Sequence, residues 1–268
     1  PMRMDYDTMN IPKLRTLKQE GKKFSVIAAY DATFARVLNA AGVDAILVGD
    51  SLAMVVQGNA STLQATLDDM AYHTEAVVRG NSDALIIADM PFMSYHNTEM
   101  ALEHAGILMR AGANMVKLEG GQWLADTVTR LVEQGIPVCA HIGLTPQSVN
   151  KLGGYKVQGR DADSHQQILS DAIALDNAGA DFIVLECVPS ELAKDITSKV
   201  TMSTIGIGAG PDTDAQVLVA HDALGLSPYP ARFVRDFLAD TASIEAAFRA
   251  YDEAVKAGTY PASEHEYH

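Results

Sequence analysis

Cysteine is almost missing from this sequence. Cys139 and Cys187 are the only two in 268 residues, each inside an apolar run and without zinc-site spacing. A disulfide framework is not expected, and both read as inert buried thiols in a reducing compartment. Basic residues are also in short supply: 20 Lys and Arg face 34 Asp and Glu, a net charge of −14. Nucleic acid and anionic membrane surfaces both need concentrated positive charge, so neither is expected as a partner. No apolar run reaches the ~20 residues that span a bilayer. The opening stretch PMRMDYDTMNIPKLRTLKQEG lacks the apolar centre of a secretory signal, which predicts a cytoplasmic protein. Pro1 stands before Met2, as a residue left by cloning would. No linker is evident, so residues 1–268 are read as a single domain.

What is present is 48% hydrophobic residues, many of them in strand-length runs. Strands are predicted near 24–30, 44–50, 84–90, 115–120, 137–143, 182–188, 204–209 and 222–227. Amphipathic helical segments follow most of them, among others 31–42, 66–80, 98–112, 122–135 and 165–179. Several of these end in Gly, as helix C-termini prefer, and Thr66 with Asp69 offers a capping box. Eight βα units whose strands are apolar on both faces predict an α/β fold, a (β/α)8 TIM barrel. An open doubly wound sheet is the alternative. An extra N-terminal helix, 11–20, is expected to cover the barrel bottom, and a C-terminal helix, 241–257, to follow the last unit. Two connections are long, 51–65 and 144–164. The second carries Lys151, Lys156 and Arg160 and reads either as a lid over an anionic ligand or as a solvated loop.

Four apolar runs share an ending: AILVGDS (45–51), ALIIADM (84–90), MVKLEGG (115–121) and DFIVLECV (181–188). They bring Asp50, Asp89, Glu119 and Glu186 to the C-terminal strand ends, where barrel chemistry sits. Clustered carboxylates are costly unless a metal or protons neutralise them, and hard oxygen donors suit Mg²⁺. Side chains alternate along a strand, so Lys117 and Glu119 share a face. Lys117 is read as a cation that holds a substrate carboxylate, with a Schiff-base nucleophile as the other reading. Glu186 lies among apolar neighbours, which raises its pKa toward that of a general base; a salt-bridged core glutamate is the competing reading. His141 either meets substrate or fixes a loop. The glycines of GIGAG (206–210) either cradle phosphate or permit close packing. By parity Cys139 faces the barrel interior and Cys187 the helices. His265 and His268 read as part of a frayed terminus.

The segments VGDSLAMVVQG, ADMPFMSY, RAGANMVKLEGG, HIGLTPQSVNKLGGYKVQGR, VLECVP and IGIGAG together resemble the ketopantoate hydroxymethyltransferase family, from about residue 10 to the end. The resemblance implies a (β/α)8 enzyme of pantothenate biosynthesis that uses Mg²⁺ and assembles as a homodecamer. It would move a one-carbon unit from 5,10-methylenetetrahydrofolate to 3-methyl-2-oxobutanoate, giving 2-dehydropantoate by enolate chemistry. It also implies roles: Asp50 and Ser51 on substrate, with Asp50 near the metal; Asp89 on metal and substrate; Lys117 on substrate; Glu119 on metal; Glu186 as catalytic base. Ala53, Ala215 and the loop GLSPYPARF depart from the family pattern, and the last two bear on the folate side.

Three other readings stand beside it. A Mg²⁺-dependent C–C lyase of the isocitrate lyase and phosphoenolpyruvate mutase type also gathers acids around a 2-oxo acid, but its KKCGH-like motif is not found. A non-catalytic ligand-binding barrel and a Schiff-base aldolase acting through Lys117 are the others.

Overall fold

The computed structural model describes residues 8–268; the first seven, Pro1 and Met2 among them, lie outside the described residues. Local signals set the element ends. Asn10 caps the helix Ile11–Gln19 by accepting from Lys13 N–H, and Asp31 caps Ala32–Ala41 in the same way. The capping box of Thr66 and Asp69 is complete and starts the helix Leu67–Gly80.

Eight parallel strands close into a barrel: β1 Phe24–Ala28, β2 Ala45–Val48, β3 Leu85–Asp89, β4 Met115–Glu119, β5 Val138–Gly143, β6 Phe182–Glu186, β7 Ser203–Ile207 and β8 Ala215–Val219. The order around the barrel follows the chain, and β8 pairs with β1. One apolar set fills the interior, including Phe24, Leu85, Met115 and Phe182. The opposite faces pack on the surrounding helices. Leu14, from the N-terminal helix, joins the interior set and is fully buried, so this helix closes the barrel bottom as expected. Cys139 and Cys187 fall on the inner and outer sets, as parity requires.

Two sequence expectations need correction. The eighth strand is Ala215–Val219, not 222–227; Ala220–Ala223 is a helical turn that follows it. The chain returns from β7 to β8 through residues 208–214 without a helix. Glycine permits this tight return: a Cβ on Gly206 would lie 2.6 Å from Thr213 Oγ1. One on Gly210 would lie 2.4 Å from Ser190 Oγ, so the GIGAG glycines serve close packing. Asp214 then bridges back to β7, accepting from Thr204 N–H at 2.8 Å. Ala215 opens β8 at its N-terminal end, opposite Phe24 and Ile205, away from the C-terminal strand ends.

The second correction concerns the C-terminus, which is docked rather than frayed. His265 is buried, its Nδ1 accepts from Ala262 N–H at 3.0 Å, and its ring packs on Tyr260. Tyr267 O accepts from Ser190 N–H at 3.0 Å, and Arg160 Nε donates to His268 O at 3.2 Å. These bonds satisfy backbone groups that a loose tail would leave to water. The predicted C-terminal helix spans Ile244–Ala257, and Tyr251 Oη donates to β1 and β8 carbonyls.

Leu14→Ala should lower the unfolding free energy by about 2–5 kcal/mol, because the barrel floor cannot collapse into the void. Urea denaturation of both proteins measures this; a change below about 1 kcal/mol would mean the helix is not part of the core.

Candidate active site

Barrel strands aim alternate side chains inward, and three of them end in an acid. Asp89, Glu119 and Glu186 close β3, β4 and β6, while His141 lies near the end of β5. Asp50 stands two residues beyond β2 and Ser51 follows it. Asp50, Asp89, Lys117, Glu119, Glu186 and Ser51 line one cavity of about 110 Å³ at the barrel mouth. The structure thus brings together every residue that the sequence singled out for chemistry. A larger cleft near Arg15 and Lys18 lies at the opposite end, where both cations are paired with Asp181 and Asp214.

Lys117 is 4% exposed and surrounded. Its Nζ lies 2.9 Å from Asp89 Oδ1, 3.9 Å from Glu119 Oε1 and 2.9 Å from His141 Nδ1. Burial by itself lowers the ammonium pKa, but Asp89, Glu119 and Asp50 outweigh it and hold the pKa above the ordinary lysine value. The amine is therefore protonated, which disfavours the Schiff-base reading. Lys117 then donates to His141 Nδ1, leaving the imidazole proton on Nε2, 3.0 Å from Glu186 Oε2. That contact is close but not aligned as a hydrogen bond. His141 stays neutral, its pKa lowered to about 4 by burial and by the Lys117 charge.

The acids are unequal. Burial, then Asp89 and Glu119, raises the pKa of Asp50 well above the carboxylate range. Burial also raises that of Glu119, against the pull of His141 and Lys117. Glu186 goes up to about 8, again chiefly through burial, with Lys117 opposing and Asp89 assisting.

Two residues that the sequence reading left without a role organise these acids. Gln147 Nε2 donates to Asp50 Oδ2 at 2.8 Å and to Met90 O at 3.0 Å, while Gln147 N–H donates to Glu119 Oε2 at 3.0 Å. Tyr95 Oη donates to Gln147 Oε1 and accepts from Glu119 N–H at 3.2 Å. Both lie inside recognised segments, ADMPFMSY and HIGLTPQSVNKL, but neither has charge or strand parity to mark it. Ser51 Oγ is hydrogen-bonded to Tyr30 Oη at 2.7 Å. Above the mouth, Tyr155 Oη reaches Met54 Sδ at 3.6 Å, so the two long connections touch.

The donor set can be tested for a divalent cation. Asp89 Oδ1 is buried without an aligned hydrogen bond, and Asp50 Oδ1 has no hydrogen-bond partner among the described residues. Among the described residues no three acidic, His or Cys side chains form a closed metal-binding group. Mg²⁺ does not need one, because it keeps several waters and takes one or two carboxylates plus ligand oxygens. Asp50 and Asp89 fit that requirement. Glu119, bonded to Gln147, borders the same space.

Comparison with known proteins points one way. A family model described as ketopantoate hydroxymethyltransferase matches residues 8–263. A 3-methyl-2-oxobutanoate hydroxymethyltransferase of Shewanella loihica is 57% identical, covering 95% of this chain and 97% of its own. One of Marinobacter nauticus is 58% identical, covering 97% and 98%. Among solved structures, phosphonopyruvate hydrolase in complex with oxalate and Mg²⁺ superposes with a TM-score of 0.63 at 15% identity, covering 93% and 98%. A 2,3-dimethylmalate lyase of the PEP mutase/isocitrate lyase superfamily gives 0.57 at 20%, covering 80% and 81%. At such identities the two structures share the fold, and the lyase reading is met at that level only. Among the described residues no helix is long and apolar enough to cross a membrane.

Glu186 makes stability depend on pH. Its pKa is about 8 folded against 4.5 for the ordinary side chain. Between those values the folded chain keeps a proton that the unfolded chain has released, so stability falls as pH rises through that window. Urea unfolding between pH 5 and pH 8 should show this decline, and Glu186→Gln should flatten it. An equal slope in both proteins would refute the assignment.

Proposed function

The chain belongs to the ketopantoate hydroxymethyltransferase family, and from that premise we propose that the barrel mouth binds 3-methyl-2-oxobutanoate and that Glu186 removes its C3 proton. The observation that carries this is a partly buried glutamate with its pKa up to about 8, across a small cavity from a buried ammonium. A base with such a pKa is matched to a weakly acidic C–H near neutral pH.

Each residue has a task. Lys117 offsets the negative charge of the substrate carboxylate, and Ser51 donates to it from the hydroxyl pair with Tyr30. Asp50, Asp89 and Glu119 would hold Mg²⁺, with Asp50 and Asp89 also bordering substrate. Lewis acidity toward the keto oxygen is the chemistry that a cation supplies there. Glu186 takes the C3 proton, and the electron pair moves into the enolate. Water adds to the methylene carbon of 5,10-methylenetetrahydrofolate and both of its C–N bonds break, which releases tetrahydrofolate and leaves that carbon as formaldehyde. The enolate carbon bonds it, and its oxygen takes the proton from Glu186 to become the hydroxyl of 2-dehydropantoate. Gln147 holds Asp50 and Glu119 in place throughout. The family resemblance adds a cytoplasmic homodecamer to this reading.

The test follows deuterium from solvent into C3 of 3-methyl-2-oxobutanoate by NMR, with Mg²⁺ present. Wild type should exchange, and Glu186→Gln should be slower by about 10²–10⁴-fold. Unchanged exchange in the variant would remove Glu186 from its role. The metal assignment has its own readout, Mn²⁺ binding by electron paramagnetic resonance. Asp50→Asn and Asp89→Asn should each weaken it by about 10-fold or more; binding equal to wild type would place the metal elsewhere.

A further inference from the structure

The mouth of the barrel is divided by polarity. Strands β3 and β4 end in Asp89 and Glu119, and β5 carries His141 two residues before its end, with Lys117 just below. Strands β7, β8 and β1 end in Ile207, Val219 and Ala28. Both sets line the same cavity. Glu186 stands at the seam: on β6 it pairs in register with Gly143 on one side and Ile207 on the other. Ala28 pairs in register with Val219, and Ile207 and Val217 line the same side of the cavity.

A short 2-oxo acid is divided in the same way. Its carboxylate and keto oxygens lie side by side at one end, and its alkyl branch is at the other. Turning the oxygens toward Ile207 and Val219 would bury charge without partners. Turning the branch toward Lys117 would strip solvation from the charged half and replace it with nothing. We propose that the wall formed by Ile207, Val219 and Ala28 receives the alkyl branch of the substrate, brings C3 to Glu186 at the seam, and limits the branch to short chains. This rests on the 2-oxo acid reading given above.

Volume sets the limit. The cavity has about 110 Å³ of free space, well below the ~300–1,000 Å³ of pockets for drug-sized ligands. A branch one methylene longer must occupy space held by the side chains of Ile207 or Val219. A missing or extra methylene in an apolar pocket changes specificity by about 10- to 200-fold.

The experiment compares C3 deuterium exchange in 3-methyl-2-oxobutanoate and in 3-methyl-2-oxopentanoate, one methylene longer, with Mg²⁺ and tetrahydrofolate present. The readout is the ratio of kcat/KM values on one enzyme sample, which cancels any inactive fraction. Wild type should favour the shorter acid. Ile207→Ala and Val219→Ala should shift the ratio toward the longer acid by about 10-fold or more. Ile207→Val, the gentler change, should move it the same way by less, and Ala28→Val should move it the opposite way. Ser51→Ala, on the polar side, should slow both acids alike. A ratio within twofold of wild type in Ile207→Val and whichever alanine variants fold would overturn the inference. Absence of exchange with both acids in wild type would instead overturn the functional reading itself.

Discussion

A single buried ammonium holds the barrel mouth together. Lys117 lies within 4 Å of Asp89, Glu119 and His141, and none of these four is more than 5% exposed. Carboxylates packed this closely repel one another, and burial raises the cost of each charge. The cation reduces that cost, and the acids in turn keep the cation protonated. Removing one partner would leave the others as uncompensated buried charge, which is more expensive than the intact cluster. The cluster therefore behaves as a unit, with Gln147 and Tyr95 fixing its geometry through neutral hydrogen bonds.

Glu186 stands apart from Asp89 and Glu119 by its position. It reaches Lys117 only through His141 and has Ile207 as its other neighbour in the sheet. With less compensation, it is the carboxyl driven to about 8. One barrel rim thus carries two kinds of acid: Asp89 and Glu119 close to the cation, and Asp50 and Glu186 farther from it. Environment, rather than residue type, sets how strongly each carboxyl of the rim is compensated.

The scaffold makes this possible because its load is carried elsewhere. Below the mouth, the interior is apolar and closed by Leu14, and outside it the helices cover the strands. The polar rim is set on rigid strand ends, so its geometry is protected by packing that has no chemical role. The C-terminal tail contributes too, since Tyr267 and His268 bond to Ser190 and Arg160 beside the strand that bears Glu186.

Much of this was legible in the residue order. Apolar runs on both strand faces, separated by helical segments, pointed to a parallel sheet covered by helices, and the pairing of β8 with β1 decided for the closed barrel over an open doubly wound sheet. Acids at the ends of four runs determined where the chemistry would gather, and strand parity put Lys117 and Glu119 on one face. Three things were decided only in three dimensions. The eighth strand comes earlier than residues 222–227 because Gly206 and Gly210 let the chain return from β7 without a helix. The docked terminus depended on partners some 80 to 110 residues away in Ser190 and Arg160. The roles of Gln147 and Tyr95, and the split of the mouth into charged and apolar halves, exist only once distant strand ends stand side by side. Periodicity reports which way a side chain faces; what it faces is settled by tertiary contact alone.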